Sequence, residues 1–249
     1  MTNAEILRIA QEQHAVDASC APEDFCRKEN VVVVSRQNEK ARAYLELPFF
    51  CDLISYGANV VASVDAQVLD VVSQCLEHHH IEGCFETPAL HELTEAFLPY
   101  GKYIKHQAEY WLPDVNVLRA LPCPYEVRTL YRDEFAQLYR PEWGNAISGK
   151  RPHLDVLGAG AYDHGRLIGL AGCSADCDTM WQIGIDVLPE YRRQGVAAAL
   201  TSRLAVEALQ RGKVPFYCCA WSNIGSARNA IASGFRPAWV EMTAKSAST

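Results

Sequence analysis

The chain has 249 residues, of which 49% are hydrophobic, with a formal net charge of -7 and a pI near 5.6. This length and composition fit a folded protein with either one large domain or two smaller ones. The negative charge argues against nucleic acid or an anionic membrane as the main partner, because both require a broad basic surface.

The first residues of the chain predict a helix, followed by a series of short strands. The helical pattern ends near Ser19, and apolar runs that predict strands follow at Val31–Val34, Tyr44–Leu47 and Asn59–Val64. Asp65 is expected to cap a second helix. The first third of the chain therefore reads as mixed α/β structure.

The same alternation continues to the middle of the chain. A strand is predicted around Cys84 and Phe85, and the pair Thr87-Pro88 predicts the start of a helix that ends near Phe97. Tyr103–Leu112 is a further predicted strand.

Three prolines, Pro113, Pro122 and Pro124, lie where this periodicity fades. They predict a boundary between an N-terminal α/β domain, residues 1–115, and a second domain, residues 124–249.

The second domain is predicted to contain a sheet crossed by helices. Its expected strands are Tyr125–Leu130, Val156–Tyr162, Leu167–Cys173, Met180–Leu188, Val214–Trp221 and Ala238–Thr243, with a short helix at Asp133–Leu138. A helix after Gln194 joins the fourth and fifth of these strands, so we expect the two to run parallel. Asn223 is expected to cap the last helix, which Gly234 ends.

The chain contains ten cysteines but no Cys-x-x-Cys pair, and no stretch resembles a secretory leader or approaches the roughly 18 apolar residues of a membrane span. We expect free thiols in the cytoplasm and no membrane partner. The triplet His78, His79 and His80 is interpreted as a solvated helix end, since adjacent residues do not share a helix face. No metal site is predicted.

The segment from Gln182 to Ala199 has the chemistry of a pyrophosphate-binding turn. An apolar strand leads into Arg192, Arg193 and Gly195, and small residues then open a helix. The first amides of a helix are unpaired and carry partial positive charge, so they favour an anion, and the two arginines add full charges. A Rossmann glycine pattern and a P-loop are both missing, which argues against nucleotide hydrolysis.

The order of strand, Arg-x-x-Gly-x-Ala turn, helix, strand, Asn-x-x-Ser, helix and Gly-Phe resembles the GCN5-related N-acetyltransferase (GNAT) family. The matching positions are Arg192 to Ala197, Asn223 with Ser226, and Gly234 with Phe235. The resemblance covers about residues 125–243. It implies a mixed central sheet with helices on both faces in this half of the chain.

The resemblance also implies a site for acetyl-CoA, without a metal. Strand backbone would bond the pantetheine arm, and amides of the turn would hold the pyrophosphate. The implied coenzyme-binding residues are Ile185, Asp186, Val187, Arg192, Arg193, Gln194, Gly195, Val196, Ala197, Ala198, Asn223 and Ser226. Asn223 has a second interpretation as a helix cap, and the two roles are compatible.

The catalytic groups typical of the family do not carry over to this chain. The position that often holds a tyrosine acid is Ala230, and two positions that often hold a glutamate base are Trp181 and Cys218. The remaining candidates are Asp186, the carboxylate nearest the expected site, and Glu142. The alternative for Asp186 is a structural or surface carboxylate, and that for Glu142 is a loop anchor. A further interpretation is that a relay of water molecules acts as the base. Tyr217 and Cys218 are expected to line the site.

The function that follows is transfer of an acetyl group from acetyl-CoA to a primary amine of a small molecule or peptide, by direct attack. The alternative is a catalytically silent acyl-CoA-binding regulatory module. A toxin acting on charged tRNA would need a basic face, and a net charge of -7 gives that function little support. The order strand, helix, strand, helix, strand in residues 59–112 echoes the second half, so we interpret the N-terminal domain as a degenerate GNAT-like half on the acceptor side. A homodimer is left open.

Overall fold

The computed structural model describes residues 1–246 and has the mixed α/β architecture predicted from the sequence. The α-helices are α1 (Asn3–Ala18), α2 (Leu69–His78), α3 (Thr87–Phe97), α4 (Val196–Gln210) and α5 (Ile224–Ala232). The strands are β1 (Val31–Val34), β2 (Cys51–Ser55), β3 (Val61–Val64), β4 (Lys102–Pro113), β5 (Glu126–Tyr131), β6 (Asp155–Asp163), β7 (Arg166–Ser174), β8 (Met180–Val187), β9 (Val214–Ala220) and β10 (Phe235–Ser246).

Contacts divide the chain into two compact units. The C-terminal unit contains residues 1–7, 111–219 and 223–237, and the N-terminal unit contains residues 8–110, 220–222 and those from Ala238 onward. The predicted domains, 1–115 and 124–249, divide the chain only once. The division by contacts differs from the predicted one at both ends of the chain. Residues 1–7 belong to the C-terminal unit, in which Asn3 donates to the Asp114 carboxylate, and the end of the chain belongs to the N-terminal unit, in which β10 pairs with β2. Residues 247–249 of the predicted second domain lie outside the described part of the chain.

The N-terminal unit is built on strands in the order β1, β3, β2, β10. β1 and β3 are parallel, and β2 is antiparallel to both β3 and β10. Every residue of β2 and β3 is buried, and their apolar side chains pack with those of α2 and α3 in one core. Outside this core, Arg42 pairs with the buried Asp17 at 2.5 Å.

Two predicted strands of the N-terminal unit were wrong. Tyr44–Leu47 is a loop, in which the Tyr44 hydroxyl accepts a hydrogen bond from Arg42, and the strand lies instead at Cys51–Ser55. Cys84 and Phe85 belong to a 3-10 helix, because the backbone bonds there are local, such as that from Cys84 N to the His80 carbonyl. Asp65 caps its helical turn as predicted.

The C-terminal unit has strands in the order β9, β8, β7, β6, β5. All pairs are antiparallel except β8 with β9, which run parallel as the helical connection predicted. The predicted helix at Asp133–Leu138 is only a 3-10 turn at Arg132–Glu134. α4 packs closely on the sheet because Gly169 of β7 has no side chain: a Cβ there would lie 2.9 Å from Val196.

Among residues 1–246, no helix is long and apolar enough to cross a membrane. No disulfide joins the ten cysteines, all of which lie within the described residues.

Candidate functional site

Strands β8 and β9 part soon after they meet. Their described pairing runs over three residue pairs, from Met180 with Val214 to Gln182 with Phe216. Beyond Gln182, β8 continues to Val187 paired with β7 on its other side. The edge of β8 that faces away from β7 therefore offers backbone donors and acceptors to a ligand.

The turn after β8 is shaped by two residues with left-handed backbone. Gly195 has φ 82° and immediately precedes α4, and Arg193 has φ 63°. This conformation is ordinary for glycine and uncommon for other residues. Arg192 fixes the start of the turn, since its Nε donates to the Val187 carbonyl at 2.9 Å. The first turn of α4 contains no acidic residue.

A second helix begins opposite this turn. The Asn223 side chain caps α5 by accepting a hydrogen bond from the Ser226 amide at 3.1 Å, as its sequence position predicted. The N-termini of α4 and α5 both line one cavity. Helix N-termini favour anions, so the two helices give this cavity a positive lining.

The cavity has a volume of about 770 Å³, within the usual range for small-molecule sites. Three arginines and one carboxylate contribute to its wall. The lining residues are Ile185, Asp186, Val187, Tyr191, Arg192, Arg193, Gly195, Val196, Ala197, Ala198, Tyr217, Asn223, Gly225, Ser226, Arg228 and Asn229. The charge balance suits a ligand with several negative groups.

Asp186 is held by the segment that follows the 3-10 turn at Pro141–Trp143. One carboxylate oxygen accepts hydrogen bonds from the amides of Asn145 and Ala146 at 2.8 and 3.0 Å, and the other accepts from Asn145 Nδ2 at 2.7 Å. The segment lies directly on the sheet, because a Cβ at Gly184 would overlap the Asn145 carbonyl. Asp186 therefore anchors this segment to β8.

Residues 120–235 match the family model described as "Acetyltransferase (GNAT) family". This stretch of the chain is a GNAT domain.

Solved structures similar to the chain have low sequence identity to it. A GCN5-related N-acetyltransferase-like protein from Streptococcus suis 89/1591 is 19% identical, with a TM-score of 0.47, and the match covers 64% of this chain and 69% of that one. A GCN5-related N-acetyltransferase from Kribbella flavida is 16% identical, with a TM-score of 0.49 and coverages of 63% and 64%. A tandem GNAT protein from the clavulanic acid biosynthesis pathway is 16% identical, with a TM-score of 0.45 and coverages of 66% and 60%. No curated protein matches significantly.

The GNAT domain brings the predicted coenzyme-binding residues together, with one exception. All of them line the cavity except Gln194, whose side chain accepts from the Tyr125 hydroxyl at 2.7 Å and donates to the Glu190 carbonyl at 3.2 Å. The prediction had not included Tyr191, Gly225, Arg228 and Asn229 among the binding residues. These four residues line the cavity because of how α5 and the turn between β8 and α4 face each other. A short sequence motif does not encode that arrangement.

The two predicted catalytic carboxylates are placed differently. Asp186 lines the cavity, but three hydrogen-bond donors already occupy its oxygens. Glu142 is exposed in the 3-10 turn at Pro141–Trp143 and is not among the residues that line this cavity. A catalytic role for either residue stays a prediction.

Three further positions differ from the common family pattern. Ala230 is completely buried in the core of the GNAT domain, and Trp181 packs against the same core. The Cys218 sulfur accepts a hydrogen bond from Gln182 Nε2 at 3.0 Å, close to the point where β8 and β9 part.

Tyr217 is the buried phenol of the cavity wall. It is 3% exposed and packs against the core that contains Phe235. Burial raises the pKa of Tyr217 above its ordinary value, and hydrogen bonds with Ser226 and Asn229 offset only part of that rise. The hydroxyl therefore keeps its proton at neutral pH.

We predict that Ala197→Glu weakens coenzyme A binding at least about tenfold, because a carboxylate would occupy the anion site at the start of α4. The helix itself should not be destabilised, since acidic residues suit a helix N-terminus. Ala232→Glu, an exposed position at the end of α5, is the matched control and should bind as the wild type does. Calorimetric titration with coenzyme A checks this, and equal affinity of both variants would contradict it.

We predict that Asp186→Ala lowers the free energy of unfolding by about 2 kcal/mol, because two backbone amides lose a charged acceptor. Glu142→Ala, which removes the exposed carboxylate of the same segment, should change it by less than about 0.5 kcal/mol. Urea unfolding of both variants measures the difference. An unchanged stability of Asp186→Ala would show that the segment does not depend on this anchor.

Proposed function

We propose that the protein transfers an acetyl group from acetyl-CoA to a primary amine of a small molecule or peptide. The observation that carries the proposal is the cavity where the open edge of β8 meets the N-terminus of α4 inside the GNAT domain. The ten cysteines without disulfides further favour a reducing compartment, the cytoplasm, as the place of action.

Each part of coenzyme A has matching chemistry in this cavity. The amide groups of the pantetheine arm would pair with the β8 backbone from Ile185 to Val187, as an added strand does. The pyrophosphate would lie at the first amides of α4, beside Arg192 and Arg193. Arg228 on α5 adds a third positive charge to the wall.

The transfer step needs a proton for the departing thiolate. The amine nitrogen attacks the thioester carbonyl, the new C–N bond forms, and the C–S bond breaks. We assign the proton donor to Tyr217, a buried residue that lines the cavity and whose hydroxyl keeps its proton at neutral pH. The amine loses its own proton to water, and Tyr217 is reprotonated from solvent, so the products are the acetamide and the coenzyme A thiol.

We assign the base to a water relay, since the Asp186 oxygens already accept three hydrogen bonds. That the Asp186 oxygens already accept three hydrogen bonds also favours a second candidate function, a catalytically silent acyl-CoA-binding regulatory module. That candidate needs the donor cavity but no proton acceptor.

Turnover of acetyl-CoA over a panel of primary amines separates the two functions. Thiol release that depends on the amine, with the acetylated amine identified by mass spectrometry, supports the transferase. The panel should contain amino sugars, polyamines, aminoglycosides and peptide N-termini. Binding of acetyl-CoA without acetylation of any amine favours the silent module.

We predict that Tyr217→Phe lowers kcat at least about 100-fold, the range that loss of a general acid produces, while the affinity for acetyl-CoA changes little. Tyr191→Phe is the matched control. Tyr191 lines the same cavity, but its hydroxyl donates to Asp163 at 2.9 Å and so has a partner elsewhere. Steady-state kinetics with the best amine of the panel measures both variants. An equal loss in the two would remove Tyr217 from the proton-transfer step.

A further inference from the structure

A cysteine, a histidine and a glutamate lie together in the N-terminal unit, within residues 8–110, and none of them lines the cavity of the GNAT domain. Cys75 belongs to α2, His79 ends that helix, and Glu92 belongs to α3. One ligand atom of each side chain lies within 4.8 Å of the other two. Two helices, α2 with its C-terminal cap residue and α3, thus direct metal-ligating atoms to one point.

The three atoms are spaced almost as a zinc ion requires. Zinc bonds of about 2.0 to 2.3 Å in tetrahedral geometry place neighbouring ligand atoms about 3.5 Å apart. His79 Nε2 and Glu92 Oε2 are 3.1 Å apart, and no separation in the group is greater than 4.8 Å. Small rotations of the side chains would bring the three atoms to the tetrahedral spacing.

We propose that Cys75, His79 and Glu92 bind a zinc ion that ties the end of α2 to α3. The ligand types favour zinc, since thiolate and imidazole together suit it, whereas magnesium and calcium require oxygen ligands. This inference is independent of the acetyltransferase proposal.

The surroundings of the group are ordered on one side and open on the other. Cys75 is completely buried in the core with α2 and α3, which fixes its position. The side chains of His79 and Glu92 are 21% and 37% exposed, so an ion can enter and a water can complete four-coordination. His78 Nδ1 lies 3.9 Å from Glu92 Oε1 and is a second source for the fourth ligand.

The local backbone also supports a fixed histidine. The Cys84 thiol donates to the His79 carbonyl, with 3.8 Å between sulfur and oxygen, and so holds the backbone of the histidine. Sequence spacing gave no hint of the group, because Glu92 lies 13 residues from His79 and on another helix.

Without a metal, the same side chains would form a hydrogen-bonded triad in which Glu92 accepts from both partners. Metal content decides between the two arrangements. The full chain, with any affinity tag removed, is dialysed against zinc sulfate, desalted and analysed by mass spectrometry for zinc. We expect one zinc per chain and a higher Tm than for protein treated with a chelator.

Paired variants test the ligands. Loss of an outer-shell partner lowers metal affinity about 10- to 100-fold. Cys75→Ser and Glu92→Gln remove direct ligands, so each should weaken zinc binding by more than that. Cys84→Ser, a buried thiol of the same core, and Glu95→Gln, an exposed carboxylate of the same helix, should retain the metal. Circular dichroism verifies that each variant is folded. If Cys75→Ser is unfolded, the comparison of Glu92→Gln with Glu95→Gln tests the proposal.

Cobalt substitution identifies the sulfur ligand directly. Protein loaded with Co²⁺ should show a thiolate-to-cobalt charge-transfer band that disappears in Cys75→Ser. The proposal would be overturned by equal zinc content in wild type, Cys75→Ser and Glu92→Gln, or by a cobalt complex without that band. Either result would leave only adventitious binding by the histidine triplet.

Discussion

The cavity of the GNAT domain depends on the separation of β8 from β9. The strands are parallel and share three described residue pairs before they diverge, so the far half of β8 has a neighbour on only one side. Backbone amides and carbonyls require partners, and an extended ligand with amide groups supplies them in the same way as a strand would. The divergence is therefore the feature on which the proposed acetyl-CoA site depends.

The rest of the GNAT domain holds this open edge in place. β7 pairs along the opposite edge of β8, and Asp186 with Gly184 fixes the Asn145 segment against the strand. At its end, β8 leads into a turn in which Gly195 has a left-handed backbone and α4 begins. Because α4 packs closely over Gly169, its N-terminus stays at the mouth of the open edge.

Local sequence signals predicted most of the residues that line the cavity, and contacts distant in sequence explain what was missed. The Arg192 to Ala197 turn and the Asn223 cap depend on residues within a few positions of one another, so a motif records them. The anchoring of Asp186 joins residues 41 positions apart. β2 was missed because Asp52 and Ser55 make it look polar, whereas Asp52 is buried and accepts from Thr243, 191 residues away.

Acetyl-CoA is proposed to bind along the open edge of β8 and at the start of α4. Hydrogen–deuterium exchange with and without acetyl-CoA, resolved to short peptides, locates this binding. Exchange should slow in peptides that cover residues 183–187 and 193–198, and should change little in peptides of α2 and α3. Unchanged exchange in both donor-site segments, at a concentration where binding is saturated, would contradict it.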